Sequence, residues 1–301
     1  MEIEFYDDYE LKKHTTFKIG GVAKRVYFPK SVNEFVELLK TLKSPLILGG
    51  CSNVLISSEG INADVILTSK INGYHIEETV ITAECGVKAP FLSRAAQKAA
   101  LSGFEFMIGF PGTVGGIVHM NASAHNQAVS DSCIECRVFD LDTKEILTLD
   151  KKALEFSYRK SVLDKKNYIL LDAKFDLKLS DSDSINALMN RNIEFRKSKQ
   201  PNLALPNAGS VFKNPPNDSA GRLLELAGAK RIKIGGAKVW EGHANFVINV
   251  DNATSKDVSN IINKMYNMVK EKYTIELEPE VKYIGPKDNE EGKLWNAMLR
   301  K

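Results

Sequence analysis

The sequence has no long hydrophobic run and little excess charge. No apolar segment reaches the roughly 18 to 20 residues that span a bilayer, and the acidic start M-E-I-E-F-Y-D-D-Y-E lacks the apolar centre of a secretory signal. The net charge is only +3 over 301 residues, and no basic run is interleaved with aromatic residues. These absences argue against a membrane anchor and against a nucleic-acid partner. A cytoplasmic globular protein is therefore expected.

Cysteine is also scarce, with only four residues in the chain. Cys133 and Cys136 form the motif C-I-E-C, but no second pair completes a zinc site, and no metal is predicted. The motif lies in the strand-like run C-I-E-C-R-V-F-D. Because positions i and i+3 of a strand point to opposite faces, we predict two separate small core residues and no redox pair.

The remaining composition is that of a soluble protein large enough for about two domains. Hydrophobic residues make up 43% of the chain and charged residues 26%. Ser31 and Glu34 predict a capping box at the start of one helix, and Thr254 predicts the start of another that runs to Tyr273. A third helix is predicted from Pro90 to Ser102. The run Q-P-N-L-A-L-P-N after a helix over 184–198 marks a boundary between two folding units.

Two glycine-rich segments follow apolar runs. The first, G-G-C-S-N at 49–53, offers consecutive backbone N–H groups and small polar side chains, an array suited to a pyrophosphate. The second, G-F-P-G-T-V-G-G at 109–116, can bring its backbone within contact distance of a ligand. Neither is a Walker A loop or a dinucleotide-fold fingerprint. Each could also be an ordinary turn, the second one a tight buried turn between strands.

Three polar residues stand in unusual local settings. Arg159 lies in Y-R-K-S, Ser210 in A-G-S-V-F-K-N-P, and Glu280 in L-E-P-E-V, where Pro279 restricts the backbone of a predicted strand. Taken singly, each has an ordinary structural explanation: a paired surface charge, a turn hydroxyl and a surface carboxylate.

Taken together and in this order, the motifs resemble those of the UDP-N-acetylenolpyruvoylglucosamine reductases, also called UDP-N-acetylmuramate dehydrogenases. The resemblance runs from H-T-T-F-K-I-G-G through both glycine segments, Y-R-K-S, A-G-S-V-F-K-N-P and H-A-N-F-V-I-N to L-E-P-E-V-K-Y-I-G. It implies an α+β protein with an FAD-binding domain of the vanillyl-alcohol-oxidase (PCMH) type at 1–199, with subdomains of about 1–70 and 71–199. A substrate-binding α+β domain would follow at 200–285, and the tail at 286–301 has no predicted role.

The resemblance also implies a reaction and its cofactors. An enzyme of this family uses FAD, with NADPH as electron donor, to reduce UDP-N-acetylglucosamine enolpyruvate to UDP-N-acetylmuramate in peptidoglycan precursor synthesis. The partner is thus a small molecule, in a cytoplasmic protein that we expect to be a monomer.

The same resemblance assigns roles to single residues. Ser210 would donate a proton to carbon, while Arg159 and Glu280 would stabilise the enolate-like state. Substrate contacts are expected from Lys213, Asn214 and Arg222. The residues expected along FAD are Gly49, Gly50, Cys51, Ser52, Asn53, Gly109, Pro111, Gly112, Thr113, Gly115, Gly116, Asn121 and Ala122.

The chain departs from the family pattern in some places. The segment between Arg159 and Ser210 is too short for the tyrosine-bearing loop that covers substrate in the longer form, so the short form is indicated. Cys51 stands where a small residue is common, and W-E-G before H-A-N-F replaces a usual basic residue. We expect His243, next to Glu241 and Gly242, to be structural.

Two other functions fit part of the pattern. One is an FAD oxidase or dehydrogenase acting on an alcohol or sugar, with flavin tethered through His119, His125 or Cys51. The other is a non-catalytic nucleotide-binding or scaffold protein on the same fold, which the presence of Arg159, Ser210 and Glu280 together argues against.

Overall fold

The structure is a computed structural model that describes residues 3–202 and 204–299. Helices and largely antiparallel strands alternate along these residues, as expected for an α+β protein. The α-helices are α1 (Val32–Thr41), α2 (Ala89–Lys98), α3 (Val114–His119), α4 (Val129–Ser132), α5 (Ser182–Lys199), α6 (Ala220–Leu226), α7 (Ser255–Tyr273) and α8 (Glu290–Leu299). Short 3₁₀ helices cover Lys12–His14, Thr68–Lys70, Glu105–Met107, Val162–Asp164 and Ala229–Arg231.

The strands are short, and most lie in antiparallel sheets. They are β1 (Phe5–Glu10), β2 (Val22–Tyr27), β3 (Leu46–Leu48), β4 (Val54–Ile56), β5 (Ile61–Leu67), β6 (Tyr74–Glu77), β7 (Val80–Glu84), β8 (Leu101–Ser102), β9 (Ser123–Ala124), β10 (Gln127–Ala128), β11 (Cys133–Asp140), β12 (Ile146–Asp150), β13 (Tyr168–Asp176), β14 (Lys178–Leu179), β15 (Lys233–Ile234), β16 (Ala237–Val239), β17 (Val247–Asn249) and β18 (Lys282–Ile284).

The strands pair into sheets in the following orders. The largest sheet is antiparallel with the order β12-β11-β13-β7-β6, and a four-stranded sheet has the order β1-β2-β5-β3. A three-stranded sheet has the order β15-β16-β17, and β18 pairs with β4 in parallel. The pairs β10-β9 and β14-β8 complete the set in the described residues.

The chain divides into two compact units, each assembled from separate segments. The first unit contains Met1–Tyr6, Val26–Gly50 and Asp64–Arg196, and its core packs α1, α2 and α3 with the five-stranded sheet. The second unit contains Asp7–Arg25, Cys51–Ala63 and Lys197–Lys301, with a core built around α7. The contiguous domains 1–199 and 200–285 remain a prediction, because the second compact unit includes two early segments as well as the C-terminal part.

The starts of α1 and α7 agree with the capping residues predicted from the sequence, whereas the end of α2 does not. The Ser31 hydroxyl accepts from the Glu34 N–H, and Thr254 and Asp257 form a reciprocal capping box at α7. The predicted extension of α2 to Ser102 is wrong. Ala100 adopts a left-handed φ of 56°, and Leu101–Ser102 pairs with Lys178–Leu179 as β8, because the hydrogen bonds of a sheet edge replace those of a further helical turn.

The prediction that Cys133 and Cys136 point to opposite faces is also wrong. Their sulfur atoms lie 3.6 Å apart, and both residues are buried. The register of β11 against β13 shifts between Cys133 and Glu135, which marks a β-bulge. An extra residue in one strand reverses the alternation of side chains beyond it, so the two thiols meet on one face.

The described part of the tail, 286–299, had no predicted role, and its buried residues belong to the core of the second unit. Trp295 is buried and stacks on Tyr283 with ring centroids 5.7 Å apart, and its indole N–H donates to the Ser259 hydroxyl at 2.9 Å. The Ser255 hydroxyl donates to buried Glu291 at 2.8 Å. Helix α8 thus covers α7. None of the helices in the described residues is long and apolar enough to cross a membrane.

Candidate functional site

The glycine segment 109–116 is the entry to a helix. Helix α3 begins at Val114, so the alternative of a buried turn between two strands is wrong. The N–H groups of Val114 and Gly115 donate to the carbonyls of Val87 and Cys85 at 2.9 and 2.8 Å. A Cβ on Gly115 would lie 3.2 Å from the Cys85 carbonyl oxygen, so this glycine is required by packing within the protein.

Gly49 and Gly50 lie directly against this segment within the first unit. A Cβ on Gly49 would collide with the hydroxyl of Thr113, and one on Gly50 would lie 3.3 Å from the Gly112 Cα. The two glycine-rich segments, far apart in sequence, therefore meet backbone to backbone. This close approach is what glycine allows and any larger residue would obstruct.

Two features of the segment 109–116 are not explained by contacts within the protein. Thr113 is only 3% exposed, yet its hydroxyl oxygen has no hydrogen-bond partner among the described residues. Gly116 is exposed on α3, and a Cβ there would meet nothing within 4 Å. A buried polar group normally has a partner, so an unpaired hydroxyl beside a bare backbone surface fits the polar edge and flat ring of a flavin dinucleotide.

The Asn121 side chain is already engaged by the protein. Its amide nitrogen donates to the Ser157 carbonyl at 3.0 Å, and its oxygen accepts from the Ser130 N–H at 3.0 Å. Asn121 also has a left-handed φ of 42°, a conformation that asparagine tolerates better than most residues. Contact of Asn121 or Ala122 with a cofactor would thus come from the main chain.

The remainder of the first glycine-rich segment belongs to the second unit. Cys51 has a φ of 47° and is buried, and its carbonyl accepts from the Thr16 N–H at 3.3 Å. Burial raises the pKa of the Cys51 thiol to about 12, so the thiolate needed for a covalent flavin link is suppressed. The Asn53 amide donates to the Glu280 carbonyl at 3.0 Å.

Arg159 occupies a tight turn in the first unit. Ser157 and Lys160 exchange backbone hydrogen bonds of 3.0 and 3.2 Å across the turn, and Arg159 takes a left-handed φ of 57°. Its guanidinium donates to the Ser123 hydroxyl and, at 3.4 Å, to the Ser123 carbonyl. A strained backbone and a held side chain together define the direction of this charge, which is typical of functional positions.

Ser210 and Glu280 lie on adjoining segments of the second unit. The Glu280 N–H donates to the Val211 carbonyl at 2.7 Å, and Ser210 forms a bridge with Phe246. Gly209, with φ of 77°, makes the turn that leads into this arrangement. Glu280 precedes β18, so its predicted position inside a strand is wrong: Phe212 bridges only Pro279, whose ring leaves no N–H for a longer ladder.

Asn245 is a positioning residue that the sequence did not single out. It is 3% exposed, its side-chain oxygen accepts from the Phe212 N–H at 2.9 Å, and its amide donates to the Phe212 carbonyl at 2.8 Å. Its own carbonyl accepts from the Val211 N–H at 2.9 Å. The available signal was a polar residue inside the apolar run H-A-N-F-V-I-N, because a buried amide is retained only where it is fully paired.

The three predicted substrate residues make contacts within the second unit. Lys213 is half-buried and pairs with Glu278 at 2.8 Å. The Asn214 oxygen accepts from the Ala220 N–H at 3.0 Å, at the start of α6, and Arg222 pairs with Asp218 on the surface. These contacts leave a substrate role for the three residues untested.

His243 has a packing role. A Cβ on Gly221 would collide with its ring, and its Nδ1 accepts from the Asn245 N–H at 3.1 Å. Burial, with a smaller contribution from Lys230, holds the pKa of His243 below its ordinary value. Glu241 is exposed and pairs with Lys238.

Comparison with known proteins places these observations in a family. Residues 23–150 match the family model described as "FAD binding domain", and residues 200–284 match "UDP-N-acetylenolpyruvoylglucosamine reductase, C-terminal domain". The UDP-N-acetylenolpyruvoylglucosamine reductase of Caldicellulosiruptor bescii is 44% identical over 94% of this chain and 91% of its own length. The protein of that name from Caldanaerobacter subterraneus is 40% identical over 95% of each chain.

A solved structure agrees with the sequence comparisons. The crystal structure of UDP-N-acetylenolpyruvylglucosamine reductase from Thermus caldophilus is 30% identical, covers 95% of this chain and 100% of that one, and superposes with a TM-score of 0.81. The predicted α+β fold with an FAD-binding domain is thus confirmed. With both halves matched in order, the chain belongs to the UDP-N-acetylenolpyruvoylglucosamine reductase family.

Proposed function

We propose that this protein catalyses the FAD-dependent, NADPH-driven reduction of UDP-N-acetylglucosamine enolpyruvate to UDP-N-acetylmuramate, a step of peptidoglycan precursor synthesis. The observation that carries the proposal is the hydrogen bond from the Glu280 N–H to the Val211 carbonyl. It joins the segment of the proposed acid, Ser210, to the segment of the proposed carboxyl group, in a chain 44% identical to a named reductase.

The residues that would hold FAD are those of the paired glycine-rich segments. Thr113 can donate or accept a hydrogen bond, Gly49 and Gly50 let the two segments meet backbone to backbone, and Gly116 leaves open space where a Cβ would be. When bound, FAD would supply the hydride carrier between NADPH and the substrate, and the protein would orient it and exclude competing reactions.

Ser210 supplies the proton in this proposal. Addition of hydride to the methylene carbon of the enolpyruvyl group converts the double bond to a single bond and leaves an electron pair on the adjacent carbon. The Ser210 O–H donates its proton to that carbon, which completes the lactyl ether. A serine hydroxyl is a weak acid, but a carbanion-like partner is a strong base, and a positioned donor contributes about 10²- to 10⁴-fold.

Arg159 and Glu280 stabilise the charge that develops before this proton arrives. The negative charge spreads into the substrate carboxylate, and a fixed guanidinium is complementary to that state. A carboxylate would repel it, so Glu280 can contribute only as a protonated hydrogen-bond donor.

The Ser210→Ala variant tests the assignment. Under anaerobic conditions we expect NADPH to bleach the flavin of this variant at the normal rate, while reoxidation by UDP-N-acetylglucosamine enolpyruvate slows by about 10²-fold or more. Stopped-flow absorbance follows both half-reactions. Ser180→Ala, at an exposed residue of the first unit, is the matched control. Normal reoxidation in Ser210→Ala would remove Ser210 from the mechanism.

A cytoplasmic monomer without nucleic-acid or membrane partners is part of the same proposal. NADPH and nucleotide sugars are soluble cytoplasmic metabolites, and the net charge of +3 offers little attraction for polyanions. Light scattering of the purified protein tests the monomer. Acid precipitation tests the rival covalent flavoprotein, since tethered flavin would remain in the pellet.

A further inference from the structure

Arg196 is a half-buried cation without a partner. It lies near the end of α5, and neither an ion pair nor a hydrogen bond joins it to another residue within 3–202 or 204–299. Burial lowers the pKa of Arg196 from its ordinary value, with no carboxylate acting against that effect. Desolvating a charge without pairing it is costly, so a protein keeps such a group only when something else compensates it.

The position of Arg196 suggests what compensates it. A Cβ on Gly109 would lie 3.0 Å from the Arg196 Cδ, so the side chain passes directly over the first residue of the glycine segment 109–116. One residue earlier on α5, Phe195 packs edge-on against His125 with ring centroids 5.3 Å apart. His125 lies between β9 and β10, which follow α3, so the end of α5 contacts the glycine segment at Gly109 and the turn after β9 at His125.

We infer that Arg196 binds a phosphate group of the dinucleotide held by the segment 109–116, with FAD the favoured source. The guanidinium presents donors in a planar fork that matches a phosphate, and it stays charged in a partly dry site where an ammonium would lose its proton more readily. The same segment also carries the Thr113 hydroxyl, which has no hydrogen-bond partner among the described residues. The inference rests on the proposed function only for the identity of FAD.

The test is a ligand series on apoprotein carrying Arg196→Met. We expect the affinity for FAD to fall by about 10- to 100-fold, the loss of a charge-assisted hydrogen bond, whereas the affinity for riboflavin, which lacks phosphate, stays constant. Flavin fluorescence quenching measures both. Arg196→Lys keeps the charge but loses the planar pair of donors, so its affinity for FAD should lie between those of wild type and Arg196→Met.

The thermal stability of the apoprotein provides a readout independent of catalysis. Removing an uncompensated buried charge should leave the Tm of Arg196→Met apoprotein unchanged or raise it, while the increase in Tm caused by saturating FAD shrinks. Arg191→Met, an exposed arginine on the same helix, is the matched control and should alter neither quantity.

Two further measurements on Arg196→Met identify which ligand supplies the phosphate. If the affinity for FAD is unchanged but the preference for NADPH over NADH is weaker, Arg196 binds the 2′-phosphate of NADPH, and FAD is overturned as the source. A raised KM for the UDP-sugar alone would assign it to the substrate, with the same consequence. Equal losses of riboflavin and FAD, or no loss in any arm, would overturn phosphate binding by Arg196. Turnover by wild-type enzyme separates these results from a failure of the proposed reaction.

Discussion

At the scale of single residues, the direction of the Arg159 guanidinium depends on a neighbour that follows the glycine segment. Ser123 begins β9, two positions after Asn121, and receives hydrogen bonds from Arg159 through both its hydroxyl and its carbonyl. The Asn121 side-chain amide in turn donates to the Ser157 carbonyl, on the other side of the Arg159 turn. The residues that follow α3, Asn121 and Ser123, thus position the proposed catalytic cation.

We therefore expect Ser123→Ala to slow reoxidation of the flavin by substrate about tenfold, the cost of one charge-assisted hydrogen bond. The NADPH half-reaction should keep its rate, because Arg159 acts on the substrate. Ser123→Thr retains a hydroxyl and should restore most of the loss. Stopped-flow absorbance separates the half-reactions, and an equal loss in both would show that Ser123 supports the fold instead.

At the scale of elements, three non-adjacent segments of the second unit are held together by backbone pairing. Val211 accepts from Glu280, and Phe212 is bound on both its N–H and its carbonyl by the Asn245 side chain. No strand of regular length forms here, so the arrangement depends on these few bonds. The Asn245 side chain thus supplies the hydrogen bonds that a neighbouring strand would otherwise make to Phe212.

Asn245→Ala should lower the free energy of unfolding by about 2 to 4 kcal/mol, since two buried backbone groups of Phe212 lose their partners. Chemical denaturation with two spectroscopic probes measures the change. Asn267→Ala, on the exposed face of α7, is the control and should change it by less than about 0.5 kcal/mol. A loss in Asn245→Ala no larger than in the control would mean that water replaces the amide.

At the scale of the whole molecule, three histidines whose pKa values are lowered by partial desolvation predict a loss of stability in mild acid. Burial is the largest cause that lowers the pKa values of His14, His125 and His243 in the folded protein. The unfolded chain then binds more protons, so stability is full above the unfolded value of about 6.5 and decreases as the pH falls below it.

We expect the Tm to decrease between pH 6.5 and 5, above the range in which paired carboxylates such as Glu4 and Asp7 titrate. His243→Gln should make this decrease shallower, whereas His75→Gln, at an exposed position, should leave its slope unchanged. Calorimetry across the pH range measures both. An identical slope in wild type and His243→Gln would exclude His243 as a source.

Local chemistry along the chain was enough to predict the helix starts at Ser31 and Thr254, the two glycine-rich segments and, through the order of motifs, the family. These features depend on nearby residues or on short patterns, and they can be recognised without knowing what packs against them. The predicted catalytic, cofactor and substrate residues remain predictions, and their roles await the variants above.

Only the tertiary structure decided which distant groups meet. A bulge in β11 brought Cys133 to Cys136, and β8 ended α2 early, because hydrogen bonds to remote strands outweighed local periodicity. Nothing in the sequence distinguishes Arg196 from other helical cations, since its partial burial and its position over Gly109 arise from packing. A residue's chemistry is local, but the desolvation and pairing that tune it depend on contacts far along the chain.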